Sequence, residues 1–282
     1  MVTMSQEEER SDEDRIIEVL IIESQGREYE DQDFMPLKHS LYISDTHVPD
    51  YDVEVPYLVW CRPNQVYAQP DYFAPAIPDV PYCANVGTLP DATFIGVLMA
   101  VAAYQKQDLI SNIFASRPDD FRKYGVFTCR FYVEGSWVDV ITDTNIPCLR
   151  DPNTGEFSPA YGHSPNQGEM WVCLAEKAYA KAVGCYESLQ RAKTREVLMH
   201  LTGGSIQQVS IKEEVEQDDD NSQTLWLMLS RGLRNDTLIL CEPTVAKEEG
   251  EGVTEGVTTD GGEGETKTDA DSEQAEDTKS AA

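Results

Sequence analysis

Apolar and polar positions divide the chain into stretches of distinct character. FIGVLMAVAAY, from Phe94 to Tyr104, is apolar almost all round, which predicts a helix buried in a core. Asp91 near the N-cap and Pro90 in the first turn give that helix its start. In EMWVCLAEKAYAKAVGCYESL, Glu169 to Leu189, the residues Met170, Leu174, Ala178 and Lys181 or Ala182 recur at helical spacing and predict a second helix. A third is expected from Lys193 to Leu201, stopping at Gly203-Gly204, a C-cap followed by a joint. Between them, GVFTCRFYVEGSWVDVIT from Gly125 to Thr142 sets two β-branched and aromatic runs on either side of Glu134-Gly135, and predicts a hairpin.

Elsewhere the pattern is weaker. IIEVLII, at 16–22, is an apolar island inside acid, open between a strand and a helical turn docked on the domain. From Tyr29 to Val86 the chain is rich in Pro, Tyr and Asp with little periodicity, so an irregular wrapping segment is expected, anchored by Trp60, Tyr67, Tyr72 and Phe73. Beyond the glycine joint the sequence predicts a strand near Gln207 to Ile211, an acidic loop, a short helix around Thr224 to Ser230, and a strand from Thr237 to Cys241. No internal repeat is visible.

Composition changes this picture chiefly at the two ends. The net charge is −29, with acid concentrated from Met1 to Arg15 and again from Lys247 onward. The second stretch has no aromatic residue and cannot bury enough apolar surface to offset its ordering entropy, so disorder is expected there. Such a charge repels nucleic-acid phosphates and acidic lipid surfaces, and leaves basic proteins and divalent cations as partners. No secretory signal is expected, because charge begins at Glu7; Val2 rules out the glycine that myristoylation requires. The apolar run at Phe94 is too short to cross a bilayer, so membrane insertion is not expected. The sequon at Asn235 is expected to stay unmodified.

Seven cysteines occur without a CxxC pair or a histidine cluster, a spacing that fits neither a disulfide framework nor a zinc site. They are expected as small buried hydrophobes, Cys241 included, in a reducing cytoplasmic compartment. A catalytic pairing of Cys83 with His163, in YGHSPNQGEM, is set against the simpler expectation of a structural thiol and a solvated loop imidazole.

Five short motifs, in order, resemble the catalytic core of the calpain family of cysteine peptidases. YEDQDFMPLKHSL, Tyr29 to Leu41, is similar to the family's opening Asp-x-x-Phe-x-Pro and Ser-Leu. Trp60-Cys61-Arg62-Pro63 resembles its Trp-x-Arg-Pro, and GSWVDVITD, Gly135 to Asp143, its Gly-x-Trp-Val-Asp-Val strand. EKAYAKAVGCYE, Glu176 to Glu187, followed by Leu201-Thr202-Gly203-Gly204, matches most fully. The resemblance implies an α+β fold of the papain-like cysteine peptidase type. It divides the chain into an acidic extension at 1–27, a mainly helical first half of the core at 28–204, a partial β-rich second half at 205–244, and an acidic tail at 245–282. A chain that stops inside the second half is also the expectation for an incomplete gene product.

The same resemblance raises a problem of chemistry. The family's nucleophile motif, Gln-Gly-x-Leu-Gly-Asp-Cys-Trp, is matched here by Val86, Gly87, Thr88, Leu89, Pro90, Asp91, Ala92 and Thr93. A cysteine at a helix N-terminus attacks the scissile carbonyl as thiolate, its pKa lowered by the helix dipole; Ala92 has no such atom. The glutamine donates to the oxyanion, a contribution of about 3 kcal/mol in comparable sites, and Val86 has no hydrogen to donate. The family's general-base histidine and its orienting asparagine are expected beyond the position matched by Cys241, whereas the last histidine here is His200. The implied function is therefore that of a non-catalytic relative with a regulatory or scaffolding role, similar to kinetoplastid calpain-like proteins, for which cytoskeletal or flagellar association is typical.

The alternatives are a calcium-dependent cysteine endopeptidase, as the family label implies, and a calcium-responsive adaptor. Family cores bind calcium through carbonyls and carboxylates near the nucleophile loop. Here a ligand position aligns with Cys83, a poor partner for a hard cation, and only Asp91 and Glu169 are left as contributors. No cofactor is expected, and calcium is not supported by the motif. Trp171, Glu176, Lys177, Tyr179, Trp137 and Asp139 are expected to serve packing rather than chemistry.

Overall fold

Phe94 stacks on Tyr179 with ring centroids 4.6 Å apart and 15° between their planes, and this contact joins the two central helices. The computed structural model describes residues 27–44, 46–53, 58–71, 84–104, 109–116, 120–210 and 219–242. The island at 16–22, Tyr72, Phe73, Cys83 and most of both acidic ends lie outside them. Contacts group the chain into one unit up to Leu240 and another from Cys241, of which only Cys241 and Glu242 are described.

Two short helical turns, α1 (Lys38–Leu41) and α2 (Asp50–Val53), precede strand β1 (Leu58–Cys61) and the turn α3 (Pro63–Val66). Then come α4 (Ala92–Ala102), a 3-10 turn at Ile110–Ile113 and a wider turn at Asp120–Tyr124. Strands β2 (Val126–Val133) and β3 (Ser136–Asp143) form an antiparallel hairpin in which Val133 faces Ser136. Strands β4 (Ile146–Arg150) and β5 (Phe157–Pro159) complete a second antiparallel sheet of order β1-β4-β5, with Trp60 opposite Pro147. The helices α5 (Trp171–Val183), α6 (Thr194–Thr202) and α7 (Asp219–Arg234) follow. This is the α+β arrangement expected.

The hairpin and α6 lie where the residue pattern puts them, the hairpin because Glu134 and Gly135 both take positive φ, which closes the turn. Gly203, at φ 64°, ends α6 in the left-handed conformation that favours glycine. Several expectations are corrected. Helix α4 starts at Ala92 with Asp91 as its N-cap, so Pro90 stands before the cap and not in the first turn. Helix α5 stops at Val183 because Gly184 adopts φ 113°, and the chain resumes as a 3-10 turn at Tyr186–Arg191. The wrapping segment contains a true strand, β1, whose partner β4 lies some ninety residues on and so leaves no local signal. Neither 207–210 nor 237–241 forms a strand, and α7 is longer than the apolar run that announces it.

The core is continuous from α4 through α5 to the hairpin. Every residue from Trp171 to Ala180 is buried, and Phe131 packs edge-on against Tyr179 at 5.3 Å. Full burial of side chains such as Phe94, Leu98 and Ile113 contributes about 1.5–3 kcal/mol each. Cys61, Cys129, Cys148, Cys173 and Cys185 are buried in this core as free thiols, but Cys241 is exposed, correcting its assignment to the interior.

Candidate active site

The segment ahead of α4 is seated by backbone contacts. Asn85 and His163 exchange N–H···O bonds of 2.7 and 3.0 Å, a two-residue antiparallel bridge. A Cβ on Gly87 would lie 2.2 Å from the Ala160 carbonyl oxygen, so only glycine fits this approach. Thr88 then donates its N–H to that oxygen at 2.9 Å, and its hydroxyl donates to Asp52 Oδ1 at 3.2 Å. Leu89 is fully buried, and the Asp91 carbonyl accepts from Ile95 N–H at 3.2 Å, opening the helix.

Asp52 holds this loop from outside it. Its Oδ2 accepts from the Tyr42 hydroxyl at 3.0 Å and from the Tyr161 hydroxyl at 2.6 Å, so one buried carboxylate ties α2, the segment after α1, the nucleophile-like loop and the strand β5 exit together. Burial, then the charge of Asp52, pushes both phenols well above their ordinary pKa. Sequence reasoning did not find Asp52. An acid within an irregular Pro- and Tyr-rich stretch gives no periodic signal.

At the head of α4 the structure presents a methyl group. Ala92 is exposed at the helix N-terminus, where amides unpaired within the helix point outward, and Val86 is 43 % exposed. His163 engages its Nδ1 with the Tyr161 carbonyl at 2.9 Å, and Cys83 lies outside the described residues. His200 is packed against Tyr179, whose hydroxyl meets its Nδ1 at 2.9 Å; burial lowers the imidazole pKa.

The two candidate calcium ligands differ in their surroundings. Glu169 is buried and its Oε2 accepts from the Ser164 hydroxyl and, at 3.1 Å, from the Asn166 amide. Asp91 is 1 % exposed, neither of its carboxylate oxygens has a hydrogen-bond partner among the described residues, and burial raises its pKa to about 6. Among the described residues no group of three or more His, Cys, Asp or Glu side chains converges as a metal site. A hard cation needs several oxygens on one loop, and Asp91 and Glu169, without a third converging ligand among the described residues, do not fit that requirement.

The remaining motif residues act as ties. Arg62 donates to the Thr144 hydroxyl at 2.9 Å and to the Tyr29 carbonyl at 2.6 Å. Asp31 caps the turn at Asp33 and Phe34 through Oδ1 and accepts from Lys181 through Oδ2 at 2.7 Å. Asp139 pairs with Arg130 at 2.8 Å across the hairpin, while Trp137 is 41 % exposed and packs on Tyr132 and Gly203, so it is a surface aromatic and not part of the core.

Helix α4 headed by this loop and meeting α5 beside antiparallel sheets is consistent with an α+β fold of the papain-like cysteine peptidase type. Comparison with known proteins specifies the family: the calpain family cysteine protease model matches residues 29–261, and the chain belongs to that family. It is 32% identical over 222 residues to a calpain-type cysteine protease of Oryza sativa subsp. japonica, ADL1, covering 77% of this chain and 10% of that protein. It is 34% identical over 191 residues to calpain-B of Drosophila melanogaster, covering 67% of this chain and 19% of the relative. Against calpain-14 of Homo sapiens the identity is 30% over 188 residues, or 66% of this chain and 25% of the relative. The chain thus spans about a tenth of the length of the first plant relatives it matches.

Proposed function

We propose that this chain is a non-catalytic member of the calpain family, acting in a regulatory or scaffolding role through contacts with other proteins. The observation that carries the reading is Ala92 at the head of α4, the position that the family motif gives to the attacking thiol. Val86, at the oxyanion-donor position, supports it because an isopropyl group cannot stabilise a developing negative charge. Basic proteins of the cytoplasm and cytoskeleton are the partners that the charge of −29 suits. Among the described residues no helix is long and apolar enough to cross a membrane.

The second reading, a calcium-dependent cysteine endopeptidase, is favoured by the names of the plant relatives, which are called cysteine proteases. Casein incubated with the purified chain, with and without calcium and an active-site thiol probe, separates the two. Calcium-dependent cleavage blocked by the probe defeats the non-catalytic reading. Calorimetry with calcium decides the adaptor reading in turn, since an absence of saturable heat at micromolar ion removes it.

A further inference from the structure

The three most exposed large apolar side chains among the described residues all stand on one helix. Trp226, Leu227 and Leu233 of α7 are 70 %, 62 % and 68 % exposed, whereas no such side chain elsewhere exceeds 51 %. The other side of α7 is already turned to its own chain. Leu225, Met228, Leu229 and Gly232, spaced i, i+3, i+4 and i+7, are half-buried, and a Cβ on Gly232 would stand 3.4 Å from Ile239 Cδ1. Thr237 donates its N–H to the Gly232 carbonyl at 2.9 Å, and the Tyr104 hydroxyl donates to the Asp236 carbonyl, which fastens the helix end beside the exit of α4. A docked helix that still turns a tryptophan and two leucines to water carries an interface on its outer face.

The sequence of α7 states what fits there. The helix runs from Asp219 to Arg234, about 24 Å, so its midpoint falls between Trp226 and Leu227. It begins with two aspartates and carries Arg231 and Arg234 in its last turn. A second α7 laid antiparallel with its ends level therefore brings Trp226 of each copy beside Leu227 of the other. The same placement sets the acidic start of each helix at the basic end of its mate, and opposes the two helix dipoles. One twofold axis satisfies all of these relationships together.

We propose that the outward face of α7 is a self-association surface, on which a second copy of this chain packs its own α7 antiparallel. The surface goes beyond the non-catalytic reading and does not rest on it. The net charge of −29 opposes association, but the acid is concentrated from Met1 to Arg15 and from Lys247 onward, away from α7 in the sequence. Salt at about 0.15 M limits the reach of such charges to about 8 Å.

Sedimentation equilibrium of the full chain at micromolar concentration in that salt is expected to show a species of twice 31.6 kDa. A single copy throughout overturns the proposal, whether another segment of the chain or a foreign protein then covers α7. Trp226→Ala is expected to raise the dissociation constant about tenfold or more. An unchanged constant overturns the proposal, because the copies then meet through another face. Two charge variants test the direction of pairing: Asp219→Lys with Asp220→Lys makes both helix ends basic, and Arg231→Glu with Arg234→Glu makes both acidic. Each variant alone is expected to stay monomeric, while their equimolar mixture dimerises, a recovery that misfolding cannot imitate. A mixture that associates no better than its components overturns the antiparallel pairing.

Discussion

Lys177 Nζ lies 2.5 Å from Asp143 Oδ1, with both side chains completely excluded from water. The ammonium also donates to the Asn145 carbonyl at 2.7 Å and sits 5.6 Å from the centre of the Trp60 ring. Asp143 in turn accepts the N–H groups of Asp31 at 3.0 Å and Asn145 at 2.7 Å. The pair therefore fastens the start of the wrapping segment and the exit of β3 to α5. Removing one member leaves the other charge buried and alone. Lys177→Met is expected to cost about 3–5 kcal/mol in urea denaturation, and a loss under about 1 kcal/mol shows that the pair does not hold these elements together.

Acid acts on the same pair with a definite sign. Burial alone raises the Asp143 pKa, but the charge and hydrogen bond of Lys177 with the two backbone donors outweigh it, and the carboxyl sits below its ordinary value. Its stabilisation is complete above the unfolded value of about 4 and is lost as pH falls through the lower native one. Asp143→Asn should show a shallower loss of stability below about pH 4 than the unaltered chain. Equal slopes in the two acid titrations contradict the assignment.

Gly87 gives a test of the loop. Its replacement by alanine sets a methyl 2.2 Å from a backbone oxygen, and neither Ala160 nor Tyr161 can move away as a flexible side chain does. A destabilisation of about 1–3 kcal/mol is expected, with faster hydrogen exchange confined to residues around 85–95. Unchanged exchange there means that the loop yields at no cost.

Ala92→Cys separates placement from chemistry. The exposed helix N-terminus is expected to give a readily alkylated thiol, while casein remains intact because Val86 supplies no oxyanion donor and His163 is engaged with Tyr161. Cleavage by this variant shows that the rest of the machinery is present.

What the residue pattern made legible was local. FIGVLMAVAAY, the Glu134-Gly135 turn and the Gly203 cap each state their element within a dozen residues, and the structure follows them. The family motifs were readable as words before their physical meaning was: Arg62, Asp31 and Lys177 turn out to be cross-links between segments far apart in the chain. Long-range pairings gave no such signal. The β1–β4 partnership and the gathering role of Asp52 each join residues that nothing in their own neighbourhoods connects. The break at Gly184 was missed because the helical spacing continues through it, and only the backbone angle shows the stop.

Asp52 draws three hydroxyl groups from separate parts of the polypeptide onto one carboxylate, and none of the three belongs to a reacting position. Scaffold and reactivity are thus written in different atoms. The side chain at the tip of the central helix bears none of those three bonds, so exchanging Ala92 breaks no strut of the vault around it.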